Sequence, residues 1–265
     1  MARSIVTLTT DFGAGSVYVA QLKGSLLRRS RDVLLVDITH DIGPQDVRAA
    51  ALVLADASEW FPRDALHVAV VDPGVGTSRA LVAAQFDGRR VLGPDNGIFD
   101  GLLAKGKPDW AFRLEAAEYW NARVAATFHG RDILAPVAAQ LLEGLAPMKL
   151  GPPHDLAKRL EWPEARSADA SVMGEVIFVD RFGNLVTNLE AALLQDARAR
   201  SRGGRGKVRC GARAGIEWVE TYGDCPSGSI VALLGSSNRL EVAMVNGNAA
   251  EALGVGAGTE VEWTP

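Results

Sequence analysis

The feature that most constrains the fold is an alternation running from residue 5 to about residue 145, in which short apolar, β-branched segments take turns with helical ones. The strand pattern "IVTLTT" precedes an amphipathic stretch from Val17 to Arg29, "VLLVDIT" precedes Gln45 to Phe61, and "LHVAVVD" leads into a glycine-rich loop. "ALVAAQFD" and "RRVLG" follow, and "DILAPVAAQLLEG" reads as a closing helix. Strands this continuously apolar have no face to turn toward water. They belong to a mainly parallel sheet covered on both sides by helices, so residues 1–150 are predicted to form an α/β domain.

The character changes afterwards. Residues 146–170 hold four of the twelve prolines and lack sustained periodicity, which predicts a linker, placed at 151–170. From 171 to 265 the chain breaks into short strands with Gly, Asn and Asp at the turns: "VMGEVIFVDRFGNLVTNL", "KVRCG", "GIEWVETYGD", "SIVALLGSSNRLEVAMVN" and "TEVEWT". One short helix is expected at "NAAEALG", and "SRGGRG" (201–206) is expected to be a mobile hairpin loop. The pattern predicts a smaller all-β, barrel-like or sandwich domain.

Composition narrows the partners. An apolar fraction of 48% over 265 residues supplies a core without staples, and a net charge of -4 leaves no basic footprint for nucleic acid or an anionic membrane. No apolar run is long enough to span a bilayer and no signal peptide is visible, so a cytoplasmic protein acting on a small molecule is expected. Cys210 and Cys225 fit neither a Cys-x-x-Cys motif nor a disulfide framework and read as reduced, structural thiols.

Polar clusters fall at the predicted strand ends, where open α/β sheets bind ligands. "TTDFGAGS" places Asp11 after the first strand, "DITHD" places His40 and Asp41 after the second, and "VVDPGVGTSR" places Asp72 and Arg79 after the third. "TFHGRD" adds His129 and Arg131 at a helix entrance. Each has a plainer reading: Asp11 as a helix cap, His40 and Asp41 as turn formers, Asp72 and Arg79 as a bracing ion pair. His67 and His154 read as structural. The loop after the third strand is no phosphate cradle, because no Lys follows its second glycine and Asp72 would repel a phosphate. No HExxH, Cys-x-x-Cys or close His pair offers a metal site, and no G-x-S-x-G elbow offers a nucleophile. "DFGAGS", with Asp37 ending the next strand, loosely resembles the cofactor turn of S-adenosylmethionine-dependent methyltransferases.

Taken in order, "TTDFG", "AQLKG", "DITHDIGPQD", "VVDPGVGTSR", "GPDNGIF", "FHGRDILAP", "DRFGNLVTN", "TYGD", "GSSNRLEVA" and "NGNAAEALG" resemble the S-adenosyl-L-methionine hydroxide adenosyltransferase family, relatives of fluorinase and chlorinase. The resemblance implies hydrolysis of S-adenosylmethionine to adenosine and L-methionine, with no cofactor and no metal. It also implies a homotrimer whose active sites lie between one subunit's first domain and its neighbour's barrel. The family's water-handling Asp, Arg and His fall on Asp72, Arg79 and His129. Asp11 falls where the ribose hydroxyls are held, Asp180 and Asn184 where the methionine amino group and nucleoside are contacted, Ser236 where the methionine carboxylate is bound, and Asn248 and Ala249 where adenine is read.

Two departures from the fluorinase pattern stand out. Ser237 replaces an arginine after the carboxylate-binding serine, with Arg239 two residues on, and Gln45 replaces the tryptophan over the sugar. Gly130 stands where the halogenating relatives place a halide-binding serine, which favours hydroxide over halide. The alternatives at this stage are a non-catalytic adenosine- or S-adenosylmethionine-binding module, a methyltransferase and a halide-using relative. Gly74 and Gly76 are expected to let their loop approach the sugar.

Overall fold

A computed structural model describes residues 3–168, 171–200 and 206–265. The chain divides into two compact units, Met1–Leu160 and Glu161–Pro265. Most of the loop expected at 201–206 lies outside the described residues.

Unit 1 runs β1 (Ser4–Thr10), α1 (Val17–Leu27), β2 (Val33–Thr39), α2 (Val47–Ser58), β3 (Leu66–Val70), β4 (Leu81–Phe86), β5 (Arg89–Pro94), α3 (Asp100–Lys105), β6 (Trp110–Arg113) and α4 (Ala135–Leu142). The six strands form one sheet in the order β2-β1-β3-β5-β4-β6. Only β4 runs against its neighbours, and its cause is local. Asp87 and Gly88 both adopt positive φ (46° and 81°), the two-residue hairpin turn for which an Asp-Gly pair is suited, and it folds β5 straight back on β4.

Helix starts follow side-chain caps. Ser16 Oγ accepts the Tyr18 N–H (3.2 Å) at α1, and Asp46 Oδ1 accepts the Ala49 N–H (2.8 Å) at α2. The chain leaves β1 for β2 on one side and returns to β3 on the other, so right-handed crossovers put α1 and α2 on opposite faces. Leu22 and Leu26 of α1 and Val137, Ala138 and Leu141 of α4 cover Val6, Leu8, Val68 and Val70 of the central strands. That layer is the main core.

Residues 151–160, expected to begin a linker, are docked on unit 1. Pro152 O accepts the Arg113 N–H (3.0 Å) and His154 N–H donates to Ala111 O (2.9 Å), so the segment covers the edge of β6. Buried Asp95 accepts from His154 Nε2 (2.8 Å) and Arg159 Nη2 (2.6 Å), while Asp100 accepts the Arg159 and Leu160 N–H groups. Proline breaks the periodicity here without freeing the chain. His154 is structural, as its sequence setting suggests.

Unit 2 comprises β7 (Arg166–Ala168), β8 (Ser171–Val179), β9 (Leu185–Glu190), α5 (Ala191–Arg200), β10 (Lys207–Cys210), β11 (Arg213–Trp218), β12 (Ile230–Leu234), β13 (Arg239–Met244), α6 (Ala249–Leu253) and β14 (Glu260–Thr264). Because β14 pairs with both β10 and β8, seven strands close into a barrel, with β7 appended to β8. Inward residues alternate as closure requires: Val261 and Trp263 are fully buried between exposed or half-buried Glu260, Glu262 and Thr264. α6 is the short helix expected from "NAAEALG"; α5 was not foreseen, since its polar, arginine-rich sequence carries only two buried residues, Leu194 and Ala197. Cys210 and Cys225 are free thiols, and burial pushes the Cys210 pKa up to about 11.

His67 sits in β3 with no exposure, its Nδ1 2.7 Å from Thr7 Oγ1. Burial, with a smaller contribution from Arg89, lowers its pKa from 6.5 to about 4. The fold therefore favours the neutral ring, and this contribution is complete above 6.5 and lost as pH falls toward 4. The gap corresponds to on the order of 3 kcal/mol. Chemical denaturation at stepped pH values should show His67→Gln losing less stability than the parent between 6.5 and 4; parallel losses would refute this role.

Candidate active site

β1 and β3 are neighbours in register, Thr10 opposite Val70, and the topology reverses between them. A crevice opens at such a switch point, at the carboxyl ends of the strands. Asp11 follows β1 directly and Asp72 lies two residues beyond β3. Two carboxylates thus reach one rim from adjacent strands.

The loop after β3 curls back on itself. The Val75 N–H donates to Asp72 O (3.2 Å), and the Thr77 N–H and Oγ1 both donate to Gly74 O (3.1 and 2.7 Å). This returns Arg79 onto Asp72. Arg79 Nε donates to both carboxylate oxygens (2.8 and 2.9 Å), and its Nη2 donates to Asp72 Oδ2 and to His129 Nδ1 (3.0 Å). The Asp72 and Arg79 side chains are only 7% and 10% exposed. All three residues singled out in the sequence therefore meet.

His129 arrives from a different segment. It heads a π-helical turn, Gly130–Leu134, that continues as α4. A Cβ at Gly130 would lie 3.1 Å from Val70 Cγ1, so the absence of a side chain lets the turn seat on the end of β3, two residues from Asp72. Asp132, 3% exposed, clasps the preceding loop by accepting the Ala125 N–H (2.9 Å) and pairing with Arg131 (2.7 Å). Arg131 also stacks 4.8 Å from the Phe128 ring centre. Its task is structural, so Arg131 leaves the candidate set.

An arginine has no lone pair to offer, so His129 Nδ1 must accept and the ring proton lies on Nε2. Burial, then the Arg79 charge, lowers the His129 pKa, against weaker raising effects of Asp72 and Asp132. The ring is neutral and presents an N–H.

Other sequence candidates separate into site and scaffold. Asp11 Oδ2 accepts the Gln45 N–H (2.9 Å); Ser16, not Asp11, caps α1. His40 is buried, with Nδ1 2.8 Å from Thr10 Oγ1 and Nε2 3.1 Å from Asp37, and Asp41 accepts the Ala14 N–H (2.9 Å). Both fasten the loop after β1. Asp37 pairs with Lys23 (2.6 Å) and so also serves the scaffold. Gly76, at φ 81°, would place a Cβ 2.8 Å from the Ala126 carbonyl oxygen, so the close approach it permits is to the 121–129 loop rather than to a sugar.

In unit 2, Asp180 organises the β8–β9 turn: Oδ1 accepts the Phe182 and Asn184 N–H groups (2.8 and 2.9 Å), and Oδ2 accepts from Asn184 Nδ2 (2.9 Å). Asn248 caps α6 by accepting the Glu251 N–H (3.0 Å) and lies so close to Gly183 that no Cβ would fit there; Ala249 is fully buried behind it. Ser236 and Ser237 lie in the β12–β13 turn, and Arg239 faces Glu190 at 3.6 Å. Sequence reading missed Glu241. Its carboxylate packs against Gly235 in that same turn, and burial, then the Asp180 charge, raises its pKa against a hydrogen bond with Tyr222. Its place in a stretch of β13 buried on both faces, "LEVA", is the signal that was available.

Among the described residues, no group of three or more His, Cys, Asp or Glu is placed to hold a metal. Residues 6–151 match the SAM hydroxide adenosyltransferase N-terminal domain and residues 174–262 match the C-terminal domain of the same name. The chain belongs to this family. It is 41% identical to a protein of Thermus thermophilus named (R)-S-adenosyl-L-methionine hydrolase, over 97% of this chain and 98% of that one. A crystal structure of an uncharacterized conserved protein from Thermotoga maritima superimposes with a TM-score of 0.90 at 32% identity, covering 98% of this chain and all of that one. A fluorinase from Actinopolyspora mzabensis is 25% identical over 74% of this chain and 75% of its own length.

Three aromatic rings gather near Asp11 and His129. Phe12, Tyr18 and Phe128 meet edge to face, with ring centres 5.5–6.2 Å apart. Phe12 follows Asp11 and Phe128 precedes His129, so the three rings form an aromatic surface beside the acids. Nitrogen-edited NMR should find His129 unprotonated at Nδ1 near neutral pH. In Arg79→Met, where a cation is lost and Asp72 remains, the imidazole pKa should rise and the tautomer lock should disappear; a wild-type ring protonated on Nδ1 would contradict the geometry.

Proposed function

We propose that the protein hydrolyses S-adenosyl-L-methionine to adenosine and L-methionine by in-line attack of a water on C5′. The observation that carries this reading is the single guanidinium shared by Asp72 and His129 at the rim where Asp11 also stands. Breaking the C5′–S bond of a sulfonium releases a neutral thioether, so no general acid is needed. The demand falls on the nucleophile, which must be oriented and its developing hydroxide character stabilised.

A carboxylate offers about four lone-pair sites. Arg79 takes two contacts at Asp72 Oδ2 and one at Oδ1, which leaves Oδ1 able to accept a water O–H. His129 Nε2–H can donate to the same oxygen. In this assignment the water's remaining lone pair faces C5′, and the released proton passes to Asp72 and on to solvent. His129 acts as a donor rather than a base. Asp11 holds the ribose hydroxyls, and Phe12, Tyr18 and Phe128 supply the apolar wall.

Relatives at 30–41% identity are named for the R form of the substrate. The sulfonium sulfur is a pyramidal stereocentre, and we take the R epimer to be the substrate here. Asp180 and Asn184 then contact the methionine amino group and the nucleoside, Ser236 with Ser237 the carboxylate, and Asn248 and Ala249 the adenine. Arg239, held toward Glu190, is the weaker candidate for the carboxylate. Following the family resemblance, the proposed assembly is a cytoplasmic homotrimer, each site combining unit 1 of one chain with unit 2 of another.

Purified protein incubated with each epimer in ¹⁸O-water should yield adenosine labelled at its 5′ oxygen together with unlabelled methionine, faster from the R form. Asp72→Asn and His129→Ala should each lower turnover on the order of 10²-fold with folding intact. S-adenosylhomocysteine, a 5′-halogenated nucleoside in the presence of halide, or no product at all would overturn the assignment.

Mixing Asp72→Asn with Asn184→Ala chains after co-refolding should restore part of the activity that neither has alone. An absence of rescue would place each site within one chain.

A further inference from the structure

On the far side of the Arg131–Asp132 pair that braces the His129 turn, unit 1 contains an open groove of about 800 Å³ between α1 and the segment 121–132. Four arginines line it, Arg28, Arg29, Arg123 and Arg131, against one carboxylate, Asp132. Arg131 and Asp132 neutralise each other at 2.7 Å. Arg29 donates to neutral groups only, the Trp120 carbonyl (2.7 Å) and Asn121 Oδ1 (3.4 Å). Arg28 and Arg123 are exposed and have no carboxylate partner among the described residues. Three positive charges therefore stand uncompensated in one concavity of a chain whose net charge is -4.

Like charges gathered in a concave surface repel one another, and the arrangement is relieved when an anion of matching charge enters. Most neutral polar groups of the groove are already engaged, Gln21 Oε1 among them, which accepts from Arg131 Nη1 (2.8 Å). Ser25 Oγ donates to Arg131 O (2.6 Å), and Asn121 Nδ2 donates to Ser25 Oγ (3.0 Å). What remains for a ligand is guanidinium forks, which suit phosphate oxygens bidentately. The volume falls within the range of small-molecule sites, about 300–1,000 Å³.

We propose that this groove binds a small molecule bearing a polyphosphate chain. Inorganic polyphosphate and a nucleoside triphosphate share this chemistry. The guanidinium forks recognise the phosphates, and the two ligands differ only in what the chain carries beyond them.

The test is calorimetric titration of the full-length protein, free of divalent metal, with tripolyphosphate and separately with CTP, whose base differs from the adenine of the active-site reading. Either should bind with a dissociation constant on the order of 10 μM at low salt and at least tenfold more weakly at about 0.2 M salt. The double variant Arg28→Gln/Arg123→Gln should lose at least tenfold in affinity while keeping the parent's melting temperature and hydrolytic rate. CTP binding more tightly than tripolyphosphate would identify a nucleotide site, and equal binding a site for the phosphate chain itself. Sulfate binding as tightly as tripolyphosphate, an affinity unchanged in the variant, or no heat from either ligand would overturn the proposal.

Discussion

The site depends on one guanidinium reaching two partners at once. Arg79 is seven residues from Asp72 and fifty from His129 in sequence, yet one planar group spans both. A lysine would supply the charge but not the fork, and would leave one partner unsatisfied. Because the guanidinium can only donate, it settles the tautomer of its neighbour: His129 Nδ1 must accept, and the ring proton is turned outward on Nε2. The chemistry proposed for the water follows from that forced arrangement.

Much of the surrounding structure serves to keep those three segments in place. The β3 strand carries Asp72 to the switch point, Asn96 Nδ2 holds the Val71 carbonyl (2.9 Å) at its end, and Gly130 lets the π-helical turn close on Val70. Asp132 then ties the His129 turn to the loop before it. Burial of Asp132 would be costly without partners, and Arg131 with the backbone at Ala125 offsets that cost. The arginine in "HGRD" thus acts on the reaction through position rather than contact.

Residues whose placement follows from backbone position were legible in the sequence. Asp11, Asp72 and His129 lie at ends of periodic segments, and strand ends in an α/β sheet face one rim. The parallel sheet was legible from continuous apolar runs, whereas the Asp-Gly hairpin that reverses β4 was passed over. Roles set by what a side chain meets across the fold were not legible. "DITHD" and "FHGRD" look alike as polar clusters, but His40 turns inward to Thr10 while His129 meets Arg79. Glu241 was passed over because a carboxylate within an apolar strand gives no sign of its partners, and the aromatic wall because Phe12, Tyr18 and Phe128 are separated along the chain. Residues 151–160 show the reverse error: low periodicity suggested a loose connector where hydrogen bonds to Asp95 and Asp100 hold a fixed one.

The closure of unit 2 has a further consequence. With β14 joined on both sides, the barrel leaves no long row of backbone donors and acceptors open among the described residues; apart from three-residue β7, another chain finds no strand there to extend. Whatever this half of the protein recognises, it must do so with side chains and turn tips rather than by taking up an added strand, and its specificity is accordingly concentrated in a few residues that substitution can alter one at a time.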